Sequence, residues 1–326
     1  MKKSFKLLGA VLCILALPIY GQNRETDYLS HVLEKMNAVE SVTYHCVKKA
    51  WEPGDKEPVY NVPREIYEHV NPQDTAVGYS FLCASDKEFR QPLWVYDGTV
   101  FAYIEKEEKE VRIDDFTQKS PLPFRVIMPQ AFGCMKSILE YVLNTQDSIV
   151  LSLKDEGKDY LMELSIHTPY QVEFFGKACY MPQNPYIYDP TSIYKIWISK
   201  ENDMPYRYRR EMQHSISEDI CSDFVYNPSG KGKIVAEDYY PADYVRRIKG
   251  EKSQKATVDM TGKKAPDWTL TDMKGQKVSL SGIKSKVILL QFTGIGCGPC
   301  KISIPFLNRL RKEYAVNELK VLAVET

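Results

Sequence analysis

The chain has 326 residues, which is enough for two domains that each bury a hydrophobic core. Its 43 basic and 43 acidic side chains cancel, so no overall charge draws the protein to nucleic acid or to an anionic membrane. The 22 tyrosines favour strands and a wide binding surface over a helical bundle.

Residues 1–21 have the pattern of a secretory signal peptide. Three lysines near the start precede an apolar run from Leu7 to Ile19, which is too short to span a bilayer. The small residue Gly21 offers a cleavage point. The sequence therefore predicts a protein exported by a cleavable signal peptide to the periplasm or cell envelope.

Export bears on the eight cysteines, because exported proteins fold in an oxidising compartment. Cys13 would be removed with the signal peptide, and two others form a motif near the C-terminus. The remaining five are Cys46, Cys83, Cys134, Cys179 and Cys221. Some of them could pair, or they could stay as buried free thiols that pack like small hydrophobic side chains. Their odd number leaves at least one unpaired.

Residues 22–248 predict a β-rich domain with two helices. One helix is expected over residues 26–38, with Thr26 as its N-cap, and a second around residues 135–142. Asp97-Gly98 is a strong hairpin signal. Strands are expected at 41–47, 78–84, 93–96, 99–104, 148–154, 159–166, 192–199, 206–212, 219–226 and 233–240. So many antiparallel strands predict one curved sheet, or half-barrel.

Arginines and tyrosines alternate from Tyr206 to Arg210, a pattern that could suggest a nucleic-acid strip. Alternation along a strand explains them better, as a solvated face with cross-strand pairs, so no nucleic-acid partner is expected. The five histidines are dispersed without metal-ligand spacing, so no metal site is expected. Residues 249–264 are polar and lysine-rich, which is typical of a linker.

The motif Cys297-Gly298-Pro299-Cys300 lies between the apolar run 287–292 and a helix-like stretch, 301–314. Two cysteines at this spacing can open and close a disulfide. A cysteine at a helix N-terminus faces free backbone N–H groups and the positive end of the helix dipole, which lower its pKa. We therefore expect Cys297 to attack a substrate disulfide and Cys300 to resolve the mixed disulfide. Gly296, Gly298 and Pro299 complete the predicted active-site loop.

From Gly262 onward the residues resemble the exported thioredoxin-like family of TlpA and ResA type, which is related to the AhpC/TSA group. The matching segments are Ala265–Leu270, Val278–Leu280, Val287–Phe292, the CGPC motif, Pro305 and Leu319–Val324. The resemblance implies a thioredoxin-like βαβ unit over residues 265–326, in a multidomain α+β protein. It also implies a thiol–disulfide oxidoreductase with no cofactor beyond the Cys297–Cys300 disulfide. The Gly-Pro spacer resembles that of reducing thioredoxins, which implies disulfide-containing exported proteins as substrates and a membrane thiol electron donor.

Three departures from that family pattern stand out. Gly296 replaces the usual tryptophan, and Gln291 occupies the position of a buried acid or asparagine, so it cannot relay a proton as a carboxylate. The strand preceded by a cis-proline is also missing, since Pro305 is the last proline in the sequence. The segment is therefore expected to be an incomplete thioredoxin-like domain: part of a longer protein, a shortened domain, or one completed by another chain. Peroxidase chemistry is disfavoured because Thr293 and Leu289 do not match the spacing of a peroxiredoxin.

The N-terminal region resembles the LolA/LolB-like lipoprotein carriers at Trp94–Gly98 and at Ile196–Arg207. That resemblance implies a half-open sheet wrapped over helices, whose apolar concave face could hold a lipid or an extended peptide. An ordinary β scaffold for the redox domain is the equal alternative. A second functional hypothesis follows, in which the protein is a non-catalytic envelope protein that binds lipid or peptide and has a silent redox segment.

Overall fold

A computed structural model describes residues 17–52, 54–117, 124–183, 189–251, 259–294 and 297–325. The chain divides into two compact units, residues 1–251 and 252–326, and this division falls within the stretch 249–264. Residues 1–16 of the predicted signal peptide and residues 252–258 of the predicted linker lie outside the described residues. Over the described ranges, no helix is both long and apolar enough to cross a membrane.

The first unit contains an open sheet of twelve strands. In chain order they are β1 (Ser41–Trp51), β2 (Tyr60–Val70), β3 (Tyr79–Ala84), β4 (Pro92–Tyr96), β5 (Val100–Glu105), β6 (Glu110–Asp115), β7 (Ile149–Asp155), β8 (Asp159–Ile166), β11 (Ser192–Ser199), β12 (Met204–Met212), β13 (Ser215–Tyr226) and β14 (Val245–Ile248). Two short strands, β9 (Val172–Phe174) and β10 (Ala178–Tyr180), form a separate antiparallel pair. The order across the large sheet is β14-β6-β5-β4-β3-β2-β1-β13-β12-β11-β8-β7. The predicted curved antiparallel sheet is confirmed, with one parallel addition where β14 pairs with β6.

Two helices pack on one face of this sheet, α1 (Leu17–Asn37) and α2 (Ala131–Asn144). Their buried side chains, Leu29, Met36 and Met135 among them, share one core with inward-facing residues of β1, β2, β11 and β12. Alternate residues of β11 are buried, as expected of strands with one face on a core. The helices thus cover an apolar face of the sheet.

Helix α1 includes Thr26 in its interior, so the prediction of Thr26 as its N-cap is wrong.

The prediction of a strand at 233–240 is also wrong, because a 3₁₀ helix forms there over Ala236–Tyr239. The Ala236 backbone N–H donates to Asp97 Oδ2 at 3.2 Å, so this segment is held by a side chain rather than by a sheet ladder. In contrast, the hairpin at Asp97-Gly98 is confirmed, with β4 paired to β5. Gly98 has φ +98°, a conformation that glycine adopts at little cost.

The second unit is built around a βαβ arrangement. Strands β17 (Val287–Thr293) and β18 (Leu319–Glu325) are parallel, and helix α3 (Gly298–Glu313) connects them. A short antiparallel hairpin, β15 (Thr269–Thr271) and β16 (Lys277–Ser279), precedes them and is followed by a 3₁₀ turn over Leu280–Gly282. The predicted thioredoxin-like βαβ unit is therefore present in this region.

Candidate functional site

The CGPC motif lies where β17 leads into α3. Cys297 is the N-cap of that helix, and Gly298 and Pro299 are its first two residues. A disulfide joins Cys297 to Cys300, with a Cα–Cα distance of 5.3 Å. Gly296, the remaining residue of the predicted loop, lies outside the described residues. The structure thus brings Cys297, Gly298, Pro299 and Cys300 together at one helix N-terminus, whereas their catalytic roles stay predictions.

The helix start supplies a donor to the first sulfur. The Cys300 backbone N–H donates to Cys297 Sγ at 3.2 Å. When the disulfide opens, the same N–H and the positive end of the helix dipole favour a thiolate at Cys297 over a thiol. Cys300 Sγ lies 3.8 Å from the carbonyl oxygen of Phe292 and has no equivalent backbone donor among the described residues. This difference favours Cys297 as the attacking sulfur.

Two polar side chains support the first turn of α3. Ser303 Oγ lies 2.7 Å from the Cys300 carbonyl oxygen and 3.1 Å from Gln291 Oε1. Gln291 Nε2 donates to the same carbonyl at 3.4 Å. The sequence analysis singled out Gln291 but missed Ser303, although its position one turn after Cys300 on a helix could have revealed it.

Several apolar side chains close to the motif in sequence are exposed. Phe292, whose carbonyl faces Cys300, is 64% exposed, and Ile302, two residues after Cys300, is 68% exposed. Ile304 and Phe306 are also exposed.

The other five cysteines are buried free thiols, all in the first unit. Burial raises the pKa of Cys83 and of Cys134 to about 12, which disfavours the reactive thiolate. Within the described part of the chain, no group of three or more His, Cys, Asp or Glu side chains could hold a metal ion.

A second candidate site is a cavity of about 500 Å³ in the first unit, between the sheet and the segment 126–131 that leads into α2. Arg210 lies at this cavity, so the prediction that all the arginines of β12 are solvated is wrong for it. It shares the inward face with the buried Tyr208 and forms a two-point ion pair with Glu173 of β9, including Nε to Oε2 at 2.8 Å. Arg207 and Arg209 are more exposed and pair with Glu218 and Glu211, as expected of a solvated face.

Residues 261–326 match the family model of the AhpC/TSA family. The chain is 34% identical over 64 residues to the thiol-disulfide oxidoreductase ResA of Bacillus anthracis, covering 20% of this chain and 37% of that protein. The chain is also 40% identical over 72 residues to the thioredoxin-like protein YneN of Bacillus subtilis, covering 22% of this chain and 42% of that protein. The chain thus spans about two fifths of the length of the curated relatives that it matches. The predicted resemblance at the C-terminus is confirmed.

The remainder of the chain has distant likenesses among solved structures. The lipoprotein LppX of Mycobacterium tuberculosis is 7% identical, with 64% of this chain and 98% of that chain covered and a TM-score of 0.34. A LolA superfamily protein from Nitrosomonas europaea is 9% identical, with 67% and 99% covered and a TM-score of 0.25.

Proposed function

We propose that the protein is a thiol–disulfide oxidoreductase of the cell envelope, which reduces disulfides in exported proteins through Cys297 and Cys300. The observation that supports this most is the disulfide at the N-terminus of α3, where a backbone N–H already donates to Cys297 Sγ. The names of the relatives that match the AhpC/TSA segment point to the same chemistry.

The proposed reaction starts from the reduced pair. The Cys297 thiolate attacks one sulfur of a substrate disulfide, so a Cys297–substrate bond forms and the other substrate sulfur leaves as a thiolate. Cys300 then loses its proton to solvent, and its thiolate attacks Cys297 Sγ. This second step forms the Cys297–Cys300 disulfide and breaks the Cys297–substrate bond, and the two substrate thiolates take up protons from solvent, so the substrate gains two electrons and two protons in all. The exposed Phe292 and Ile302 would contact the apolar parts of the substrate chain.

Turnover requires the Cys297–Cys300 disulfide to be reduced again. We propose a membrane thiol electron donor for this step, with no cofactor beyond the cysteine pair. The signal-like first 21 residues support export, and an exported protein is separated from the thiol reductants of the cytosol.

A direct test compares the reduction of insulin by dithiothreitol in the presence of the purified chain and of its Cys297→Ser variant. We expect the original chain to accelerate insulin reduction and the variant to match the uncatalysed rate. Cys179→Ser is the matched control, because it removes a buried free thiol of the first unit and should keep full activity. Equal acceleration by Cys297→Ser would contradict the proposal.

A second candidate function concerns the first unit, which would bind a lipid or a peptide. The observation that favours it is the cavity between the sheet and residues 126–131, whose volume of about 500 Å³ lies within the range of ligand pockets. The two functions are independent, because the cavity residues and the CGPC motif belong to different units. Binding of an amphiphile that is unaffected by Cys297→Ser would support it.

A further inference from the structure

A row of polar side chains crosses four adjacent strands on the floor of this cavity. Arg64 of β2 lies opposite Cys46 of β1 in the sheet register. Two residues after Cys46 on the same strand, Lys48 lies opposite Asp219 of β13. Asp219 in turn lies opposite Tyr208 of β12. All five residues line the cavity. Such a row is unusual on a face that otherwise packs against helices, where buried polar groups cost free energy unless they are paired.

Arg64 is the member of this row whose hydrogen bonds are incomplete. Its side chain is only 6% exposed, and neither Nε nor Nη2 has a hydrogen-bond partner among the described residues. Asp219 Oδ1 lies 3.8 Å from Nη2, beyond the distance of a hydrogen bond. Arg64 Cζ lies 5.1 Å from the centroid of the Trp94 ring, within the range of a cation–π contact. Two N–H donors of this buried guanidinium, which lines the cavity, therefore lack a hydrogen-bond partner among the described residues.

The charges around Arg64 do not balance. Asp219 is shared, because its Oδ2 lies 3.5 Å from Lys48 Nζ while its Oδ1 faces Arg64. The other cation at the cavity, Arg210, is matched by Glu173. Two cations thus share one carboxylate, and the cavity has one positive charge in excess. A ligand with a single negative charge would neutralise this excess positive charge.

Apolar side chains line the rest of the cavity. Phe81, Trp94 and Phe101 line it from the sheet, and Ile127 and Met128 line it from the covering segment.

The covering segment is anchored at its start. Arg125 Nη1 donates to the Gly98 carbonyl oxygen at 2.6 Å and lies 3.3 Å from Asp74 Oδ1. These contacts tie residues 125–131 to the β4–β5 hairpin. The cavity therefore has cationic and apolar side chains in its lining, and the segment that covers it is anchored at Arg125.

We propose that this cavity binds a monoanionic amphiphile, whose carboxylate accepts two parallel hydrogen bonds from Arg64 Nε and Nη2 while its alkyl part packs against Phe81, Phe101 and Met128. Arginine suits this role because its planar fork matches a carboxylate with two parallel N–H···O bonds. The inference rests on the binding function proposed for the first unit and adds the chemistry of the ligand.

Isothermal titration calorimetry with the full purified chain tests the inference. The probes are decanoate below its micellar concentration, decanol as the uncharged analogue, and inorganic phosphate as an anion without an alkyl chain. We expect saturable binding of decanoate, with decanol and phosphate at least about tenfold weaker. Arg64→Met should weaken decanoate binding about 10- to 100-fold, the range for losing hydrogen bonds to a charged partner, and leave decanol binding unchanged.

Two further variants keep the test decisive. Arg64→Lys retains the charge but loses the planar fork, so its affinity for decanoate should lie between those of the original chain and Arg64→Met. Arg90→Met is the matched control, because Arg90 is 76% exposed on the same unit and should bind decanoate like the original chain.

The outcomes separate the two levels of the proposal. If decanol binds as tightly as decanoate, or if Arg64→Met and Arg64→Lys both bind decanoate unchanged, the carboxylate inference is wrong while the binding function stands. If phosphate binds as tightly as decanoate, the cavity is an anion site that does not use an alkyl chain. The proposal of an amphiphilic ligand would then be wrong. Absence of binding by all three probes would contradict the inference and the binding function together.

Discussion

Glu68 of β2 is a buried carboxyl group whose titration should control the pH dependence of the first unit. Its Oε2 accepts hydrogen bonds from the Tyr44 hydroxyl at 2.9 Å and from the Phe132 and Gly133 backbone N–H groups at the start of α2. Its Oε1 has no partner among the described residues. Burial raises the pKa of Glu68 from 4.5 to about 7, and the three hydrogen bonds only partly oppose that increase.

The sign of the effect follows from proton binding. Between pH 4.5 and pH 7 the folded protein holds a proton on Glu68 that the unfolded chain has released, so stability falls as pH rises through this window. At 1.36 kcal/mol per pKa unit, the loss amounts to about 3 kcal/mol between pH 4 and pH 8. Glu68→Gln cannot ionise, and its amide oxygen can still accept from the N–H groups of α2. We therefore expect the stability of Glu68→Gln not to show the fall of about 3 kcal/mol between pH 4 and pH 8 that the ionisation of Glu68 causes.

Urea unfolding at a series of pH values from 4 to 8 measures the effect. Three of the four tryptophans, Trp51, Trp94 and Trp197, belong to the first unit, so their fluorescence reports mainly on it. Glu88→Gln is the control, because Glu88 is exposed and its replacement should leave the pH profile unchanged. If Glu68→Gln shows the same decline in stability with pH as the original chain, the account of Glu68 is wrong.

Two further predictions concern stability. Gly176 and Gly157 share φ +82°, but a Cβ at Gly176 would lie 2.0 Å from the Val77 carbonyl oxygen, whereas one at Gly157 meets nothing within 4 Å. Gly157→Ala should therefore cost about 1–2 kcal/mol of unfolding free energy, and Gly176→Ala about 3 kcal/mol or more; equal costs in chemical denaturation would refute the steric argument. Ser303→Ala should destabilise the second unit by about 1 kcal/mol, because it removes the hydroxyl that lies between the Gln291 amide and the first turn of α3. A thermal melt of the second unit that does not change would contradict this.

Strands could be predicted from the sequence where apolar and polar residues alternate with the period of a strand. The strands 159–166 and 192–199 were predicted with the bounds that the structure has. The strand β2 was missed because Pro63 and several charged residues interrupt its pattern, although Pro63 pairs in register with Val47 of β1. The buried roles of Arg64 and Glu68 were invisible for the same reason. Part of their surroundings, Phe132 beside Glu68 and Asp219 beside Arg64, comes from segments more than 60 residues away that only the folded chain brings together.

The candidate redox site was more accessible to sequence analysis. Its residues lie within one strand and one helix turn, so the spacing of Cys297 and Cys300 and the position of Gln291 were sufficient to place them. The five buried cysteines show the opposite case. Composition and spacing left open whether they pair, and their burial as free thiols depends on the packing of the whole first unit.

The central claim is that Cys297 is the attacking sulfur of a reducing dithiol, and trapping the mixed disulfide tests it most directly. In the Cys300→Ser variant the second step cannot occur, so a disulfide-containing peptide should remain covalently attached to Cys297. Peptide mapping by mass spectrometry after alkylation of free thiols would locate the adduct. We predict one adduct, on Cys297, and none in the corresponding Cys297→Ser variant at the same time point. An adduct on a cysteine of the first unit, or equal labelling of Cys300 in Cys297→Ser, would contradict the proposed roles.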